Sequence, residues 1–496
     1  MKTLSLVLAL GLATAGLKPA ALAAKPEESP APPSPSETVD RSKAPPAGPL
    51  PEVTFPDAVT ETLPNGLRVF ILPTHKQPMV TFRLLFKGGD FNDGSKPGLA
   101  ALTANLLNKG TEQLSASEFA QKTDFLGIRV EAGSDDDALT LSASGLSRDS
   151  GAVIGFLRDA ALHPAFRQEE LEKEKLQMVA DLTQKRKSPG DLSARLRDKL
   201  LYGEHPYGAY ATPESVQSIT REDIVKYRGQ YFIPSNATLV VVGDVDPAAI
   251  LAQVKEAFDG GLPRPIPHRD LIPRFPEIQN VTVHVVDRPG SVQSNITVAG
   301  RGVAKNHPDL PQLSVVNTLL GGGMSGRLFA NLREKHGFTY GAYSNFSPKK
   351  YGGAFSATAQ VRNAVTGPAT QEILNELKRI CAEPISEKEL ALQRNYLVGN
   401  FLMSVENDQR TGERLQEIDL YGLPQDFYKT YAQKLAAVTP EKAAELACKF
   451  IDPKHLYIVV VGEAREIVPQ LEKFGKVTVY DMDLKPVKEA ESKAGK

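Results

Sequence analysis

The chain is poor in the residues that advertise a partner or a redox role. Tryptophan is absent, which excludes no function. Cysteine occurs only at Cys381 and Cys448, both in stretches with helical patterning, so at most one intrachain disulfide can form. Such a bond would need an oxidising compartment, and the sequence leaves it and a pair of buried thiols equally open. Neither sign of charge is in excess: 58 Lys and Arg against 59 Asp and Glu leave a formal charge of −1, which gives no reason to expect nucleic acid or an anionic membrane as partner. After residue 24 no apolar run is a candidate membrane span, so the mature chain is expected to be soluble.

What is present is an export address, a tether and a duplicated globular region. Residues 1–24, MKTLSLVLALGLATAGLKPAALAA, combine a lysine, a short apolar run and small residues suited to cleavage near Ala21 to Ala24, the pattern of a signal peptide. The mature chain is therefore expected to be exported, periplasmic in a two-membrane bacterium or secreted. No cysteine near the cleavage point argues for a lipid anchor. Residues 25–52, rich in Pro, Ser, Ala and Glu, read as a disordered linker.

Beyond the linker the sequence repeats itself. LVVVGD at 239–244 returns as YIVVVGE at 457–463, an offset of 219 (462 − 243). The same offset of 219 carries Leu201-Tyr202-Gly203 onto Leu420-Tyr421-Gly422, Thr220 onto Thr439, Pro234 onto Pro453 and Glu170-Leu171 onto Glu389-Leu390. One constant offset through several elements predicts a duplication. The expected organisation is an N-terminal domain over 53–262, a proline-rich linker over 263–278, a C-terminal domain over 279–480 and a flexible tail over 481–496. Strand-like runs such as LRVFILP at 67–73 alternate with helical ones such as the charged stretch from Gln168 to about Arg186. Each copy is thus expected to be an α+β unit, a mainly antiparallel sheet packed with helices.

The stretch that organises the first copy is 97–111, PGLAALTANLLNKGT. Gly98 and Gly110 bracket it, and Leu99, Leu102, Leu106 and Leu107 form an apolar stripe at helical spacing. It resembles the active-site helix of the insulinase and pitrilysin zinc peptidases, short-chain bacterial branch, in which His-x-x-Glu-His sits inside a similar frame. The positions that match the two histidines are Ala101 and Asn105, and the match to the catalytic glutamate is Ala104. The family's third ligand falls on Asp181, one methylene shorter than the usual glutamate. Two histidines at i and i+4 hold one zinc ion and the glutamate takes a proton from metal-bound water; alanine does neither. No metal or cofactor is expected in this chain, although restoring Ala101→His, Ala104→Glu, Asn105→His and Asp181→Glu together is expected to rebuild a zinc site on the surviving frame.

The resemblance also reaches EHPYG at 204–208 and LLGGGMSGRLFANLREKHGFTYGAYS at 319–344. In the latter, Gly321 to Gly323 read as a flexible loop, 327–335 as a helix capped by Gly337, and 338–344 as a strand. In the family, an arginine and a tyrosine seven residues apart reach the zinc site and hold the substrate backbone; Arg333 and Tyr340 match them. The resemblance further implies an edge strand near Glu131 and Ala132 that extends bound peptide, with Ala132 fitting it and Glu131 departing from the usual asparagine. Some exported members work as heterodimers in which one chain carries the metal and the other the Arg and Tyr. The resemblance therefore implies a non-catalytic, substrate-binding subunit whose zinc is expected in a partner carrying His-x-x-Glu-His. Two other readings stand beside it: a scaffold or peptide-binding protein without a role in proteolysis, and an autonomous peptidase with relocated ligands. Of the remaining candidates, His205 reads as packing, Asp135, Asp136 and Asp137 as a solvated turn rather than a calcium loop, and His336 as incidental.

Overall fold

The computed structural model describes residues 54–260, 264 and 272–489. The expected signal peptide, the linker over 25–52 and half of the 263–278 linker lie outside them. The first half builds a sheet from β1 (Val59–Thr62), β2 (Arg68–Pro73), β3 (Met79–Phe86), β4 (Arg129–Ser134), β5 (Leu139–Leu146) and β6 (Ala237–Gly243), in the order β1-β2-β6-β3-β5-β4. The second half builds its own from β7 (Thr282–Asp287), β8 (Gln293–Arg301), β9 (Ala342–Ser347), β10 (Ala354–Arg362), β11 (Tyr457–Gly462), β12 (Val477–Tyr480) and β13 (Pro486–Glu489), in the order β13-β12-β7-β11-β8-β10-β9. Only β2–β6, β7–β11 and β7–β12 run parallel. The mainly antiparallel α+β duplication expected from the repeat is what the chain forms.

Six helices frame the candidate site and join the halves: α1 (Leu99–Leu106), α2 (Gln168–Lys185), α3 (Pro189–Tyr202), α4 (Leu310–Leu320), α5 (Glu387–Val405) and α6 (Asp408–Tyr421). α3 and α6 are the same repeat element, since 408 − 189 is 219. Each leaves its own half. α6 lies on β6 and β2 of the first sheet, and α3 lies on β11 and β8 of the second.

That exchange explains the apolar runs around the two VVVG motifs. A strand covered on both faces has no polar side, so its pattern is continuous rather than alternating. In β6, Leu239 and Val241 face the first half's core while Val240 and Val242 face the core of the second. In β11, Val459 and Val461 meet Leu192 and Leu196 of α3. Small or polar groups mark the crossings: Gly412 of α6 lies over Val240 and Val242, and Ser193 Oγ of α3 donates to Thr297 Oγ1 at 2.8 Å.

Three local expectations change. The tail after 481 was expected to be flexible, but Leu484 is buried at 2% exposure and β13 pairs with β12 through Lys488 and Glu489. The end of the expected linker is packed too, with Phe275 against the rings of Tyr202 and His205. Of the three glycines at 321–323, the first two are held by close packing: a Cβ on Gly321 would lie 2.7 Å from Ser344 N, and one on Gly322 2.7 Å from Thr318 Cα. Cys381 and Cys448, left open in the sequence, form a disulfide that joins helix Thr366–Ala382 to helix Pro440–Phe450.

Candidate functional site

The helix that carries the degenerate motif is well made. Gly98 takes φ +100°, a left-handed turn, and a Cβ there would crowd Met178 Cε at 3.1 Å and Ala211 Cβ at 3.2 Å. The first free amides of α1 are capped by Asp93, whose carboxylate accepts from Gly98 N at 2.6 Å and Ala100 N at 2.7 Å. Burial, with Asp90 nearby, raises the Asp93 carboxyl to about 7 despite those amides. Burial likewise raises Asp90 to about 6, against the pull of its hydrogen bond from Ser134.

These two acids give a pH prediction. A carboxyl whose folded pKa is raised holds a proton that the unfolded chain has lost, so its stabilising contribution is present at low pH and disappears as pH rises through about 6 to 7. The thermal midpoint is expected to fall by a few degrees between pH 5 and pH 8, and Asp93→Asn should flatten that slope. Calorimetry across this range checks it; equal slopes in both proteins would remove Asp93 as the cause.

α1, which carries Ala101, Ala104 and Asn105, packs against α2, which carries Asp181. Ala101 and Asn105 are half-buried one turn apart, as two ligands would be, while Ala104 is fully buried in the core at 0% exposure. Asp181 is exposed and accepts from Gln177 Nε2 at 3.0 Å. Nearby, Lys109 pairs with Glu174 at 2.9 Å. Two methyls, a carboxamide and one carboxylate are not a zinc donor set, so these residues do not fit the metal. Among the described residues no group of three or more His, Cys, Asp or Glu is placed to hold a metal ion. The buried Ala104 also bears on the fourfold restoration, because a glutamate there would place its carboxyl in the apolar core.

The substrate-binding candidates are differently placed. Residues 327–335 are helical as expected, but only Arg327–Phe329 is α-helix and Ala330–Lys335 widens into a π-turn. It is anchored by Arg327 on Glu389, bidentate at 2.8 and 2.9 Å, and by Asn331 Nδ2 on Glu376 at 2.7 Å. Arg333 is exposed, with its guanidinium 4.8 Å from the Phe329 ring. Tyr340 is not on a strand: it sits in the bend before β9, 90% exposed, with no partner for its hydroxyl among the described residues. Thr339 sets that bend by donating to Gly341 O at 2.9 Å and Gln360 O at 2.7 Å. A Cβ on Gly341 would strike the Tyr343 ring at 2.6 Å, which is why the alternation FTYGAYS misreads as strand.

Ala132 lies on β4, the last strand of the first sheet, paired only with β5 through Leu141. Its outer edge has no strand beside it among the described residues, and Glu131 there pairs with Arg129 at 2.6 Å. His205 is buried packing as read, its Nδ1 accepting from Tyr207 N at 3.1 Å and its ring 4.6 Å from Phe275. His336 stacks on Phe338, 5.0 Å between centroids.

Only Asp135 of the aspartate run is exposed, and the rest is not a solvated turn. Asp137 is buried, accepting from the Tyr207 hydroxyl and from Lys350 N at 3.0 Å, and Asp136 pairs with Lys349 at 2.7 Å. Burial raises Asp137. The run fastens the first half to the second. Sequence reasoning missed the other fastening altogether, on α6: Gln416 Nε2 donates to Arg83 O and Thr238 O, both at 2.9 Å, and Asp419 binds Arg68, Lys87 and Thr238.

Two family models match in tandem: "Insulinase (Peptidase family M16)" over residues 68–209 and "Peptidase M16 inactive domain" over 218–397. The chain belongs to the insulinase (M16) family. It is a short bacterial-type M16 member without the His-x-x-Glu-His motif. An uncharacterized zinc protease of Mycobacterium leprae is 26% identical over 404 residues, covering 79% of this M16 chain and 89% of that one. A protein of Helicobacter pylori described as a non-peptidase homolog is 26% identical over 398 residues, covering 79% and 91%. Among solved structures, a peptidase M16 inactive domain from Pseudomonas fluorescens superposes with a TM-score of 0.75 at 26% identity, over 82% of this chain and 98% of that one. A protease from Helicobacter pylori matches with TM-score 0.76 at 20% identity over 82% and 99%, a likeness of fold.

Proposed function

We propose that this M16 chain is the non-catalytic subunit of an exported zinc metallopeptidase, binding peptide substrate and completing the active site of a partner that carries His-x-x-Glu-His. The observation that carries this reading is an asymmetry. The zinc helix has no ligands, while Arg333 and Tyr340 are exposed and engaged by no polar group among the described residues. A side chain with a structural role is usually committed to a neighbour; these two are held out by anchored segments and left unspent.

Their chemistry suits the role. Zinc, in the partner, would supply the activated water. The peptide carbonyl gains negative charge as water attacks, and a guanidinium together with a phenol hydroxyl donates to that oxygen. The free edge of β4 beside Ala132 offers backbone donors and acceptors to an extended peptide. The disulfide supports export, because such bonds persist in oxidising compartments. The Helicobacter relative's description as a non-peptidase homolog supports silence of the chain alone.

The test is chelator-sensitive cleavage of an unfolded polypeptide by the tagged mature protein captured from its native extract, beside Arg333→Ala and Tyr340→Phe captures. Loss of one charge-stabilising donor is expected to lower the rate about 100- to 1000-fold with the partner still bound. Activity indifferent to both substitutions, or none at all, leaves the scaffold or peptide-binding role and retires the assignment.

A further inference from the structure

The repeat relates two cavities that have met different fates. Arg195 of α3 and Arg414 of α6 are 219 residues apart (414 − 195), and so are Leu182 and Phe401 (401 − 182). Arg195 and Leu182 line a cavity of about 390 Å³ in the first half; Arg414 and Phe401 line one of about 460 Å³ in the second. Each arginine also lies 5.5 Å from a tyrosine ring, Tyr210 and Tyr428 respectively.

The first cavity is walled by the chain's own residues Met482 to Lys485. In that segment Asp483 pairs with Arg186, and Leu484 is buried beside Leu192 and Leu196. An acidic residue between apolar ones is thus what closes this copy. The second copy has Phe401 and Arg414 at the matching positions of its lining and, among the described residues, no such segment. Arg414 Nη2 donates to Ser404 Oγ at 2.6 Å, but its Nη1 is buried with no acceptor. Arg410, one turn before it, forms no ion pair among the described residues. Asn317 Oδ1, on the α4 wall, is buried with no donor. The carboxylates that face the cavity are Glu417, already bound to Lys305 at 3.2 Å and to Tyr428, and Glu413, which is exposed. Phe346, Phe401 and Tyr431 supply the apolar surface.

We propose that the second cavity is a docking site for a peptide segment in trans, one in which an acidic residue stands between apolar neighbours. The carboxylate accepts from Arg414 Nη1 and Arg410, a peptide N–H donates to Asn317 Oδ1, and the flanking side chains lie on the aromatic wall. The site is separate from Arg333 and Tyr340 and does not depend on them or on a zinc-bearing partner.

A fluorescein-labelled hexapeptide with the sequence of residues 480–485, YDMDLK, tests it by polarisation on the full mature protein. Saturable binding is expected. It should weaken about tenfold when the peptide carries Asn for the second Asp, and about tenfold in Arg414→Met. Arg410→Ala, a change at an exposed position that leaves packing intact, should weaken it a few-fold, and Arg195→Met should leave it unchanged. No saturable binding, equal binding of the Asn peptide, or binding that Arg410→Ala leaves untouched would overturn the proposal. Binding that Arg195→Met abolishes would overturn it too, by placing the peptide in the other cavity.

Discussion

Gly412→Val should cost the protein about 3 kcal/mol, near the upper end of what overpacking a well-filled contact usually costs. A Cβ at Gly412 would stand 2.8 Å from both Val240 Cγ1 and Val242 Cγ2, closer than carbon atoms approach without displacement. Neither valine can yield easily. Both are buried on β6, which is hydrogen-bonded to β2 on one side and β3 on the other. The helix cannot lift away without stretching the bonds from Gln416 to Arg83 and Thr238 and from Asp419 to Lys87. The valine adds two further methyls to that space. A drop in thermal midpoint on the order of 5 °C is expected. Gly399→Ala on α5 is the control, since nothing lies within 4 Å of a Cβ there, and replacing a mid-helix glycine should stabilise by about 0.5–1 kcal/mol. Calorimetry on the two variants decides: a Gly412→Val midpoint equal to the parent's would mean α6 is not seated on β6 as described.

Reduction of the Cys381–Cys448 bond is the second large effect. The bond closes a loop of 67 residues, for which chain entropy predicts about 4 kcal/mol as an upper figure. Native packing of the two helices offsets none of that, because it is present with or without the bond. The midpoint is therefore expected to fall by several degrees in reductant, and a Cys381→Ser, Cys448→Ser double variant should start low and ignore reductant. Thiol titration of the unfolded, unreduced protein gives the direct check. Two reactive thiols per chain would refute the bond.

Much of this fold was legible because the repeat is legible. The constant offset from Glu170 to Gly462 identified two copies of one unit, and the strand at 67–73 and the charged helix from Gln168 fell where their patterns placed them. What the offset could not convey is which sheet each copied helix covers. α3 and α6 have ordinary amphipathic sequences, and crossing to the other half changes their partners without changing their period. Tyr340 was misread for a similar reason: Phe338, Tyr340 and Tyr343 suggest a strand, yet the hydrogen bonds of Thr339 and the bare Cα of Gly341 fix a bend. Asp137 was misread because its partners Tyr207 and Lys350 lie about 70 and 213 positions away, beyond any local pattern. The absence of His-x-x-Glu-His, by contrast, is legible without any fold, since Ala101, Ala104 and Asn105 are simply the residues that stand in that frame.

The reciprocal exchange of α3 and α6 has a genealogical consequence. A single repeat cut free would show water one bare sheet face, at Val240 and Val242 or at Val459 and Val461, and would carry one helix with nothing to cover. Such a unit is complete only when two copies trade that helix across a twofold axis. Joining two such chains end to end turns a concentration-dependent pair into a molecule that cannot dissociate. Once joined, the copies were free to diverge.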